Sequence, residues 1–386
     1  MKNSFSVGVD IRVLGSGKQS GIEQYVLNLL PEMIRLAPDI KFKLFFSAFH
    51  EAELSYPWLH RDNVELHRFF YPNRLMFGAA KFFGRPRLDK LMGGANVFFS
   101  PHFFSAPLEK SCRLVTTFHD LSFVRYPQFF SWRKNFWHSF EMNPRQQARR
   151  SHRLIAMSYS TRNDLVSLFK INPEKIKVVY SGLVHDRAGV TDKTEINRVR
   201  TRYQLPENFF LYLGTIEPRK NILGILKAFE DLQRKKLLSE EAHLVIAGDR
   251  GWRDSDIFKY HEQSPWRKLI HFIGTVDEKD KSLVYQLARV FVYPSFFEGF
   301  GFPPLEAMRA GVPVITSRTS SLPEVTGGAA HLVDPYHLHD LVEAMQLLFT
   351  DEALREQYRR RGLRRAQQFS WEKSAQETLE VLLRES

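Results

Sequence analysis

The sequence predicts an α/β protein made of two domains, each with a parallel sheet covered by helices. Short apolar segments of strand length alternate with amphipathic helical segments along both halves of the chain, and such alternation is typical of parallel sheets. The 386 residues also exceed what one hydrophobic core usually organises, and they suit two domains of about two hundred residues each.

The change of pattern along the chain gives the expected boundaries. Residues 1–185 should form the first domain, residues 186–205 a charged linker, residues 206–368 the second domain and residues 369–386 a closing helix. The expected strands cover residues 4–11, 41–46, 64–67, 113–120, 153–157, 176–180, 209–213, 243–247, 269–273, 290–293 and 312–315.

A glycine-rich loop, Leu14 to Gly21, joins the first strand to an amphipathic helix over residues 21–37. In α/β folds this strand-to-helix loop is where phosphate groups bind, beside the backbone amides of the helix start. The loop lacks the GxGxxG spacing, and no acidic residue stands in the dinucleotide position, which argues against a nicotinamide cofactor. Its glycines equally fit a simple connection.

The rest of the first domain contains two helical signals and one ambiguous segment. Residues 132–150 are expected to form one long helix, and Thr161 with Asp164 has the capping-box spacing that opens another. Residues 69–104 mix phenylalanine with arginine and lysine. That mixture fits either an interfacial surface or a core helix whose cations reach solvent.

Composition excludes several classes of protein. A single cysteine, Cys112, excludes an intramolecular disulfide and a cysteine-based zinc site, and it fits a reducing cytosol. The sequence has neither a signal-like N-terminus nor an apolar run of membrane-spanning length. We therefore expect a cytoplasmic protein.

The excess positive charge lies in the first half of the chain. Residues 1–185 contain 26 Lys and Arg against 14 Asp and Glu, whereas residues 186–386 contain 29 of each. A basic surface attracts nucleic acid or an anionic membrane, and no helix-turn-helix, zinc or RNA-recognition pattern supports nucleic acid. Surface charge without any partner is the remaining alternative.

The segment Ser295 to Gly311, SFFEGFGFPPLEAMRAG, carries the strongest functional signal. Gly299 and Gly301 let backbone amides approach a ligand, and amides at a helix start favour an anion or sugar oxygens. Two carboxylates, Glu298 and Glu306, can accept hydrogen bonds from sugar hydroxyls. The same residues also fit an ordinary strand–turn–helix whose glutamates cap and face solvent.

Three more candidates follow predicted strands. Arg219 and Lys220 come after Gly214, where the first strand of the second domain ends and a helix begins. Such a pair suits a diphosphate, because a guanidinium fork and an ammonium supply both charge and donors. His119 ends a strand of the first domain, at the edge where open α/β sheets bind ligands. A solvated helix start and a structural histidine are the alternatives.

The residues from Val292 to Val325, VYPSFFEGFGFPPLEAMRAGVPVITSRTSSLPEV, resemble the E-x7-E region of the retaining family 4 glycosyltransferases, which have the GT-B fold. The similarity covers most of the second half of the chain and is scattered in the first half. Within the family, the segment is similar to bacterial mannosyltransferases of O-antigen and exopolysaccharide assembly. The resemblance implies two Rossmann-like domains facing across a cleft, with the C-terminal helix crossing back to the first domain.

The resemblance also assigns roles. Arg219 and Lys220 would hold the donor diphosphate, Glu298 the transferred sugar and Glu306 the ribose hydroxyls, while His119 would lie near the donor sugar. His119, Glu298, Arg219 and Lys220 would be the catalytic set. The donor-binding set would be Gly21, Gly214, Arg219, Lys220, Gly274, Thr275, Val276, Glu298, Gly299, Phe300, Gly301 and Glu306.

The same resemblance implies transfer with retained configuration, without a side-chain nucleophile. No metal and no cofactor are expected; the co-substrate would be GDP-mannose, with a UDP-sugar as the alternative. Asp254-Ser255-Asp256 has the D-x-D form of a metal motif, but no apolar strand precedes it. We therefore expect these residues to cap a helix.

The implied acceptor is a glycan or a sugar on polyprenyl diphosphate, held at the cytoplasmic face of the membrane. An acceptor at this location implies that the basic first domain binds peripherally to the anionic membrane surface. The expected contacts are the arginine cluster Arg145, Arg149 and Arg150 and the phenylalanines Phe82 and Phe83.

Two other functions share this fold. A nucleotide-sugar 2-epimerase is disfavoured by the intact Glu298 and Glu306 pattern. A non-catalytic sugar-nucleotide-binding partner subunit is disfavoured because His119, Arg219 and Lys220 are all present.

Overall fold

Two α/β units form the protein, each built on a parallel sheet. The computed structural model describes residues 5–15, 21–48, 54–71, 78–79, 83–104, 106–130, 143–184, 192–238 and 241–384. Unit 1 comprises Met1–Val184 and Ser370–Ser386, and unit 2 comprises His185–Phe369. The predicted fold class is confirmed, because every strand pair in both sheets is parallel.

The sheet of unit 1 has seven strands in the order β3-β2-β1-β4-β5-β6-β7. Their bounds are β1 Ser6–Asp10, β2 Lys41–Ser47, β3 Val64–Phe69, β4 Val97–Ser100, β5 Arg113–Phe118, β6 Arg153–Ala156 and β7 Ile176–Val178. Strand β4 lies where the sequence predicts none. Its four residues, VFFS, are all buried, so they show no alternating pattern, as is usual for a strand covered on both faces.

Five helices of unit 1 precede the second unit in the part of the chain that the structure describes. They are α1 Gly21–Leu36, α2 Leu88–Leu91, α3 Ser122–Arg125, α4 Pro144–Arg150 and α5 Tyr159–Phe169. The prediction of one long helix over residues 132–150 is wrong, because Asn143 has a left-handed φ of 40°. Helix α4 therefore begins at Pro144, and the predicted residues before Asn143 lie outside the described part.

The capping box predicted for Thr161 and Asp164 is also wrong. The N-cap of α5 is Ser158, whose Oγ accepts from the Thr161 backbone N–H at 3.0 Å. Asp164 instead accepts from Arg125 Nη1 at 2.7 Å. Ser158 with Thr161, and Thr161 with Asp164, both have the three-residue spacing of a capping pair. The sequence alone does not show which of the two pairs begins the helix.

The aromatic residues of 69–104 divide between core and surface. Phe98, Phe99 and Phe103 are buried, whereas Phe70 and Phe83 are 66% and 78% exposed. Neither interpretation of this segment, interfacial surface or core helix, holds for all of it. Phe82 lies outside the described residues.

The sheet of unit 2 has six strands in the order β10-β9-β8-β11-β12-β13. Their bounds are β8 Asn208–Leu213, β9 Ala242–Ala247, β10 Ile270–Gly274, β11 Val290–Tyr293, β12 Val314–Ser317 and β13 His331–Val333. The sequence does not predict β13, a three-residue edge strand. The sheet core is formed by side chains with no exposed surface, including Phe209, Phe210 and Phe291.

Eight helices cover this sheet within the described residues. They are α6 Lys193–Tyr203, α7 Ile222–Arg234, α8 Ser255–Gln263, α9 Glu278–Leu287, α10 Phe302–Arg309, α11 Leu322–Thr326, α12 Leu338–Thr350 and α13 Glu352–Ala366. Helix α6 lies inside the segment expected to be a linker. Polar side chains of this helix attach it to the rest of the unit. The fully buried Asp280 accepts hydrogen bonds from Arg198 at 2.6 Å, from Arg202 at 2.8 Å and from Tyr203 at 3.0 Å.

The last helix, α14 Trp371–Leu383, belongs to unit 1. It packs along α1, where the rings of Tyr25 and Trp371 lie 5.9 Å apart and Arg35 contacts Glu372 at 2.8 Å. Gly182 approaches so closely that a Cβ there would lie 2.2 Å from the Trp371 nitrogen. Unit 1 is therefore completed by the end of the chain.

Among the described residues, no helix combines the length and apolar character that crossing a membrane requires.

Candidate functional site

The strand order brings the candidate residues of unit 2 together at one edge of the sheet. Strands β8 and β11 are hydrogen-bonded neighbours, and the order reverses between them. The connections that leave these two strands therefore diverge, which is where open α/β sheets bind ligands. Arg219 and Lys220 follow β8, and Glu298 follows β11.

Glu298 is the centre of a buried ionic network. Its side chain is 9% exposed. Oε1 accepts hydrogen bonds from Lys220 Nζ at 2.7 Å, from Ser295 Oγ at 2.7 Å and from the Tyr293 hydroxyl at 3.1 Å. Oε2 accepts from Arg219 Nη1 at 3.2 Å. The structure thus joins three of the four predicted catalytic residues directly.

Arg219 also ties the two connections together through the backbone. Its Nη1 donates to the Phe297 carbonyl at 2.7 Å, and its own carbonyl accepts from the Phe296 N–H at 2.9 Å. Its Nε donates to Glu217 at 3.0 Å. A 3-10 turn, Pro218–Lys220, presents both cations, so they precede helix α7 and do not form its first turn.

Burial and the two cations act in opposite directions on Glu298. Burial raises the pKa of its carboxyl group, but Lys220 and Arg219 outweigh burial and lower the pKa from 4.5 to about 2. Burial and Arg219 lower the pKa of Lys220, against the attraction of Glu298. Because the carboxylate is ionised at neutral pH and lies 2.7 Å from Nζ, we assign the pair as carboxylate and ammonium.

The two cations that are predicted to hold a diphosphate already have carboxylate partners. Glu217 and Glu298 balance Arg219 and Lys220, so the four charged side chains sum to zero. An anionic ligand would share the cations with these carboxylates. Lys220 can do so, because an ammonium has three N–H groups and its partners among the described residues are Tyr293 and Glu298.

Two serines that follow β12 hold the glycine-rich turn. Ser320 Oγ accepts from the Glu298 N–H at 2.9 Å, and Ser321 Oγ lies 2.8 Å from the Phe300 carbonyl oxygen. Gly301 has a φ of 106°, and a Cβ there would lie 2.8 Å from Leu322 Cδ2. Both the backbone angle and the space require glycine at this position, immediately before α10.

Glu306 lies within α10, as predicted, and has its own partners. Lys281 Nζ donates to Oε1 at 2.8 Å, and the Tyr285 hydroxyl donates to Oε2 at 2.9 Å. The Glu306 side chain is 27% exposed. It is therefore a fixed acceptor with one face toward solvent, which suits the predicted contact with ribose hydroxyls.

Gly214, Gly274, Thr275 and Val276 lie at the carboxyl ends of β8 and β10, the two strands on either side of β9. Gly214 follows β8, and a Cβ on Gly248 would lie 1.9 Å from the Gly214 carbonyl oxygen. Gly274 ends β10 with a φ of 71°, and its carbonyl accepts from the Gly248 N–H at 2.7 Å. Thr275 is exposed and Val276 half-buried. The backbones at Gly214, Gly248 and Gly274 thus approach each other closely, next to the exposed Thr275.

His119 lies in unit 1, immediately after β5. Its Nε2 lies 2.7 Å from the Pro101 carbonyl oxygen, so Nε2 carries the proton and Nδ1 has the lone pair. Burial lowers the pKa of the ring, which keeps it neutral at pH 7. The edge of the ring stands against Tyr25, with centroids 4.9 Å apart. A neutral imidazole with an unprotonated Nδ1 can accept a hydrogen bond from a hydroxyl.

Gly21 is the first residue of α1, and a Cβ there would meet no described atom within 4 Å. Residues 16–20 of the predicted loop lie outside the described part of the chain. His119 and Gly21 belong to unit 1 and the other candidates to unit 2; a shared donor site stays a prediction.

Six residues that hold the site are not predicted from the sequence: Glu217, Lys281, Tyr293, Ser295, Ser320 and Ser321. Tyr293 and the three serines lie in the Val292 to Val325 segment, where position alone does not reveal their contacts. Lys281 belongs to another helix, and nothing in the sequence links it to Glu306.

The D-x-D sequence lies at a helix start, as expected, but the side chain at the N-cap position makes no capping hydrogen bond. Asp254 is the N-cap of α8 without a side-chain cap hydrogen bond, and Arg250 Nε donates to it at 2.8 Å. Within the described ranges, no group of three or more His, Cys, Asp or Glu side chains is arranged to hold a metal.

Two parallel α/β units, with a charged cluster where the strand order of the second sheet reverses, are features of the GT-B class of proteins. Two family descriptions match the chain: "Glycosyltransferase Family 4" over residues 19–187 and "Glycosyl transferases group 1" over residues 193–365. The chain belongs to the family 4 glycosyltransferases.

Individual relatives agree with this assignment. The chain is 33% identical over 317 residues to O-antigen chain mannosyltransferase B of Escherichia coli, covering 82% of this chain and 78% of that protein. It is 27% identical to O-antigen chain mannosyltransferase RfbU of Salmonella typhimurium, over 57% of this chain and 56% of the relative. Sucrose-phosphate synthase from Thermosynechococcus elongatus has the same fold, with a TM-score of 0.76 at 20% identity over 97% of this chain and 98% of that structure.

Proposed function

We propose that this glycosyltransferase moves mannose from GDP-mannose to a glycan or polyprenyl-diphosphate-linked acceptor during O-antigen or exopolysaccharide assembly. The observation that carries the proposal is the cluster of Arg219, Lys220 and Glu298, in which two cations suited to a diphosphate contact a carboxylate suited to sugar hydroxyls. The names of the two mannosyltransferase relatives support the sugar.

The two cations would act on the leaving group. Cleavage of the bond between a sugar and a nucleoside diphosphate leaves additional negative charge on the departing phosphate oxygen. Lys220 Nζ and the Arg219 guanidinium are held in place before the reaction, by Tyr293 and by the Phe297 carbonyl. Fixed charges of this kind stabilise the transition state more than the ground state, and they replace the metal ion that other transferases use.

The two oxygens of Glu298 would have different tasks. Oε1 accepts from three donors, Lys220, Ser295 and Tyr293, whereas Oε2 contacts Arg219 at 3.2 Å. Oε2 therefore has capacity for a hydroxyl of the transferred sugar. Because the pKa of Glu298 is about 2, this oxygen stays an acceptor at any physiological pH.

His119 would contact the donor sugar as a neutral acceptor. Its Nε2–H is bound to Pro101, so Nδ1 is the atom available to a sugar hydroxyl. Phe300 and Gly301 would supply backbone amides to the sugar, Glu306 would accept from the ribose, and main chain at Gly274 to Val276 would contact the base.

We infer retention of configuration by attack on the same face of the sugar that the diphosphate leaves. In this scheme a departing phosphate oxygen takes the proton of the acceptor hydroxyl, and no enzyme carboxylate forms a bond to the sugar. Glu298 is bound on both oxygens within an ion-pair network, which suits a positioning role better than a nucleophile.

The acceptor would bring unit 1 to the membrane. A lipid-linked acceptor stays at the cytoplasmic face, and the surplus positive charge of residues 1–185 favours an anionic surface at about 1 kcal/mol per cation close to it. Arg145, Arg149 and Arg150 are exposed, as is Phe83. We propose peripheral binding through these side chains.

A panel of nucleotide sugars tests the function. The purified chain is incubated with GDP-mannose, UDP-glucose, UDP-galactose and UDP-N-acetylglucosamine in the presence of mannose-containing lipid-linked acceptors, and released nucleoside diphosphate is measured. GDP release from GDP-mannose alone, with a product of retained configuration by NMR, is expected. Release from a UDP-sugar alone would overturn the donor, and an inverted product would overturn the mechanism.

A further inference from the structure

We propose that unit 1 contains a second anion site, for a phosphate group, at the amino-terminal edge of its sheet. Arg113 and Arg153 are the first residues of β5 and β6, and Val97 is the first residue of β4. His119 follows the opposite end of β5. A six-residue strand separates the two ends by about 20 Å, so this site is separate from the candidate donor site.

The site is a pocket of about 400 Å³ with a basic rim and an apolar floor. That volume lies in the range of small-ligand sites. The floor includes Val97, Val115 and Val381, and the lining that the structure describes contains no aspartate or glutamate. The basic side chains of the rim are Arg113, Arg150, His152, Arg153, Lys175 and Arg384.

Three of the five Lys and Arg side chains of this rim are held by backbone carbonyls and not by carboxylates. Arg113 Nη1 donates to the Arg384 carbonyl at 2.8 Å, and Lys175 Nζ donates to the Arg149 carbonyl at 3.0 Å. Arg153 Nη1 is held in the same way, at 2.9 Å from a carbonyl oxygen. A carbonyl fixes a cation without neutralising it. Across the described residues, none of the five Lys and Arg side chains of the rim forms an ion pair.

Some other cations of unit 1 have acidic partners, and the rim cations differ from these. Arg35 pairs with Glu32 and Glu372, Lys41 with Glu65, and Arg125 with Asp164. The basic rim is therefore a local surplus of positive charge in one concave place.

His152 adds a neutral donor to the rim. Its Nδ1 accepts from the Leu114 N–H at 3.1 Å, so the ring proton lies on Nε2. Burial and the neighbouring cations Lys175 and Arg113 lower its pKa, which agrees with a positive field in the pocket. The ring thus donates to an anion without carrying charge.

Several fixed cations and a neutral donor around a small pocket match a phosphate group better than a carboxylate. A phosphate has up to three terminal oxygens and up to two charges, and arginine forks bind such oxygens in pairs. The same chemistry is found in a free phosphate or diphosphate and in the headgroup of an anionic phospholipid. The sequence also continues beyond Arg384 with Glu385 and Ser386, outside the described residues, so the chain has a carboxylate of its own, Glu385, to test.

The experiment compares two matched double variants of the full chain. Arg113→Gln with Lys175→Gln removes two rim cations, and Arg68→Gln with Lys177→Gln removes two exposed cations of the same unit outside the pocket. Thermal unfolding is recorded in phosphate, pyrophosphate and chloride at equal ionic strength, since a ligand that binds the folded state raises the midpoint. Co-sedimentation with phosphatidylglycerol and phosphatidylcholine vesicles is measured in parallel. No sugar donor is needed, and any binding of pyrophosphate at Arg219 and Lys220 is common to the wild type and both variants.

We expect about tenfold or greater loss of binding in the rim variant, as for loss of charged hydrogen bonds, and little change in the matched control. Loss toward phosphate or pyrophosphate identifies a free-phosphate site. Loss toward phosphatidylglycerol vesicles alone identifies the lipid headgroup. If the double variant folds poorly, Arg150→Gln, at an exposed rim position without a hydrogen bond to described residues, repeats the phosphate and pyrophosphate measurements.

Two outcomes would overturn the proposal. In the first, both double variants lose binding equally, which would mean that total charge and not the pocket attracts the anion. In the second, the wild-type chain binds no phosphate but a variant without Glu385 and Ser386 does. The residues after Arg384 would then compete with the anion for the pocket.

Discussion

Replacing Glu298 by Gln should destabilise unit 2 by about 3 kcal/mol at neutral pH. The pKa of this buried carboxyl group falls from 4.5 to about 2, and each tenfold change in proton affinity between the unfolded and folded states corresponds to about 1.4 kcal/mol. Gln preserves the shape but leaves Arg219 and Lys220 with one counter-charge fewer, a loss that often costs about 3–5 kcal/mol in buried pairs. The stabilisation is present above pH 4.5 and is lost as the pH falls through about 2, so the wild type and the variant should converge in acid.

Glu356 provides a matched control at an exposed position. Its pKa is also lowered to about 2, by hydrogen bonds from Arg359 and Arg360. Those residues lie on the surface of α13, where solvent screens the charges and little stability is at stake. Urea denaturation of Glu298→Gln, Glu356→Gln and wild type at pH 7 and pH 3 makes the comparison. Equal effects of the two substitutions, or a Glu298 variant as stable as wild type, would refute the reasoning.

The same substitution should separate ligand binding from turnover. With Glu298 neutral, Arg219 and Lys220 have less competing negative charge, so calorimetry should give an affinity for GDP equal to or higher than that of wild type. Turnover of the sugar nucleotide should fall by about tenfold or more, because Oε2 no longer accepts as a carboxylate. A fall in GDP affinity that parallels the fall in turnover would mean that Glu298 supports the diphosphate site and not the sugar.

Other predictions address the remaining parts of the site. Lys220→Ala and Arg219→Ala should each lower turnover by about 10²–10³; rates within about twofold of wild type for both would exclude the proposed action on the leaving group. Calorimetry should show tighter binding of GDP than of UDP, and the reverse order would replace the proposed donor. Gly301→Ala should lower the stability of the full chain by about 1–3 kcal/mol, because a φ of 106° strains any other residue; an unchanged unfolding midpoint would contradict this. Binding to anionic vesicles should weaken steeply with salt, whereas salt-independent binding, or equal binding to neutral vesicles, would exclude an electrostatic membrane contact.

The strands of the fold follow from the sequence, apart from β4 and β13. Most strands are apolar segments of the right length between helical patterns, and length and spacing are visible in a sequence. The four residues of β4 lie inside a phenylalanine-rich segment, where a continuous apolar run does not distinguish strand from helix. The sequence also does not predict helix α6, because Arg198, Arg202 and Asp280 stabilise it by tertiary ion pairs and no apolar stripe marks it.

The sequence predicts the positions of the candidate site residues but not the contacts between them. Strand ends and glycines locate Arg219, Lys220 and Glu298, and parallel topology brings them near each other. The sequence cannot show that Glu298 already binds both cations, because that depends on side-chain directions set by the Pro218–Lys220 turn. It also cannot show that Lys281 reaches Glu306 from a different helix. Neutrality of the cluster is therefore a result of three-dimensional packing.

The position of α14 has a consequence for synthesis on the ribosome. Arg35 on α1 and Glu372 on α14 are 337 residues apart in the chain, whereas unit 2 is continuous from His185 to Phe369. During translation unit 2 can finish folding first, while α1 waits for a partner helix that emerges after unit 2. At about 5–20 residues per second, that wait lasts about twenty seconds to a minute, with the α14-facing side of α1 uncovered. Nascent chains of this protein should therefore depend on chaperones until α14 leaves the exit tunnel.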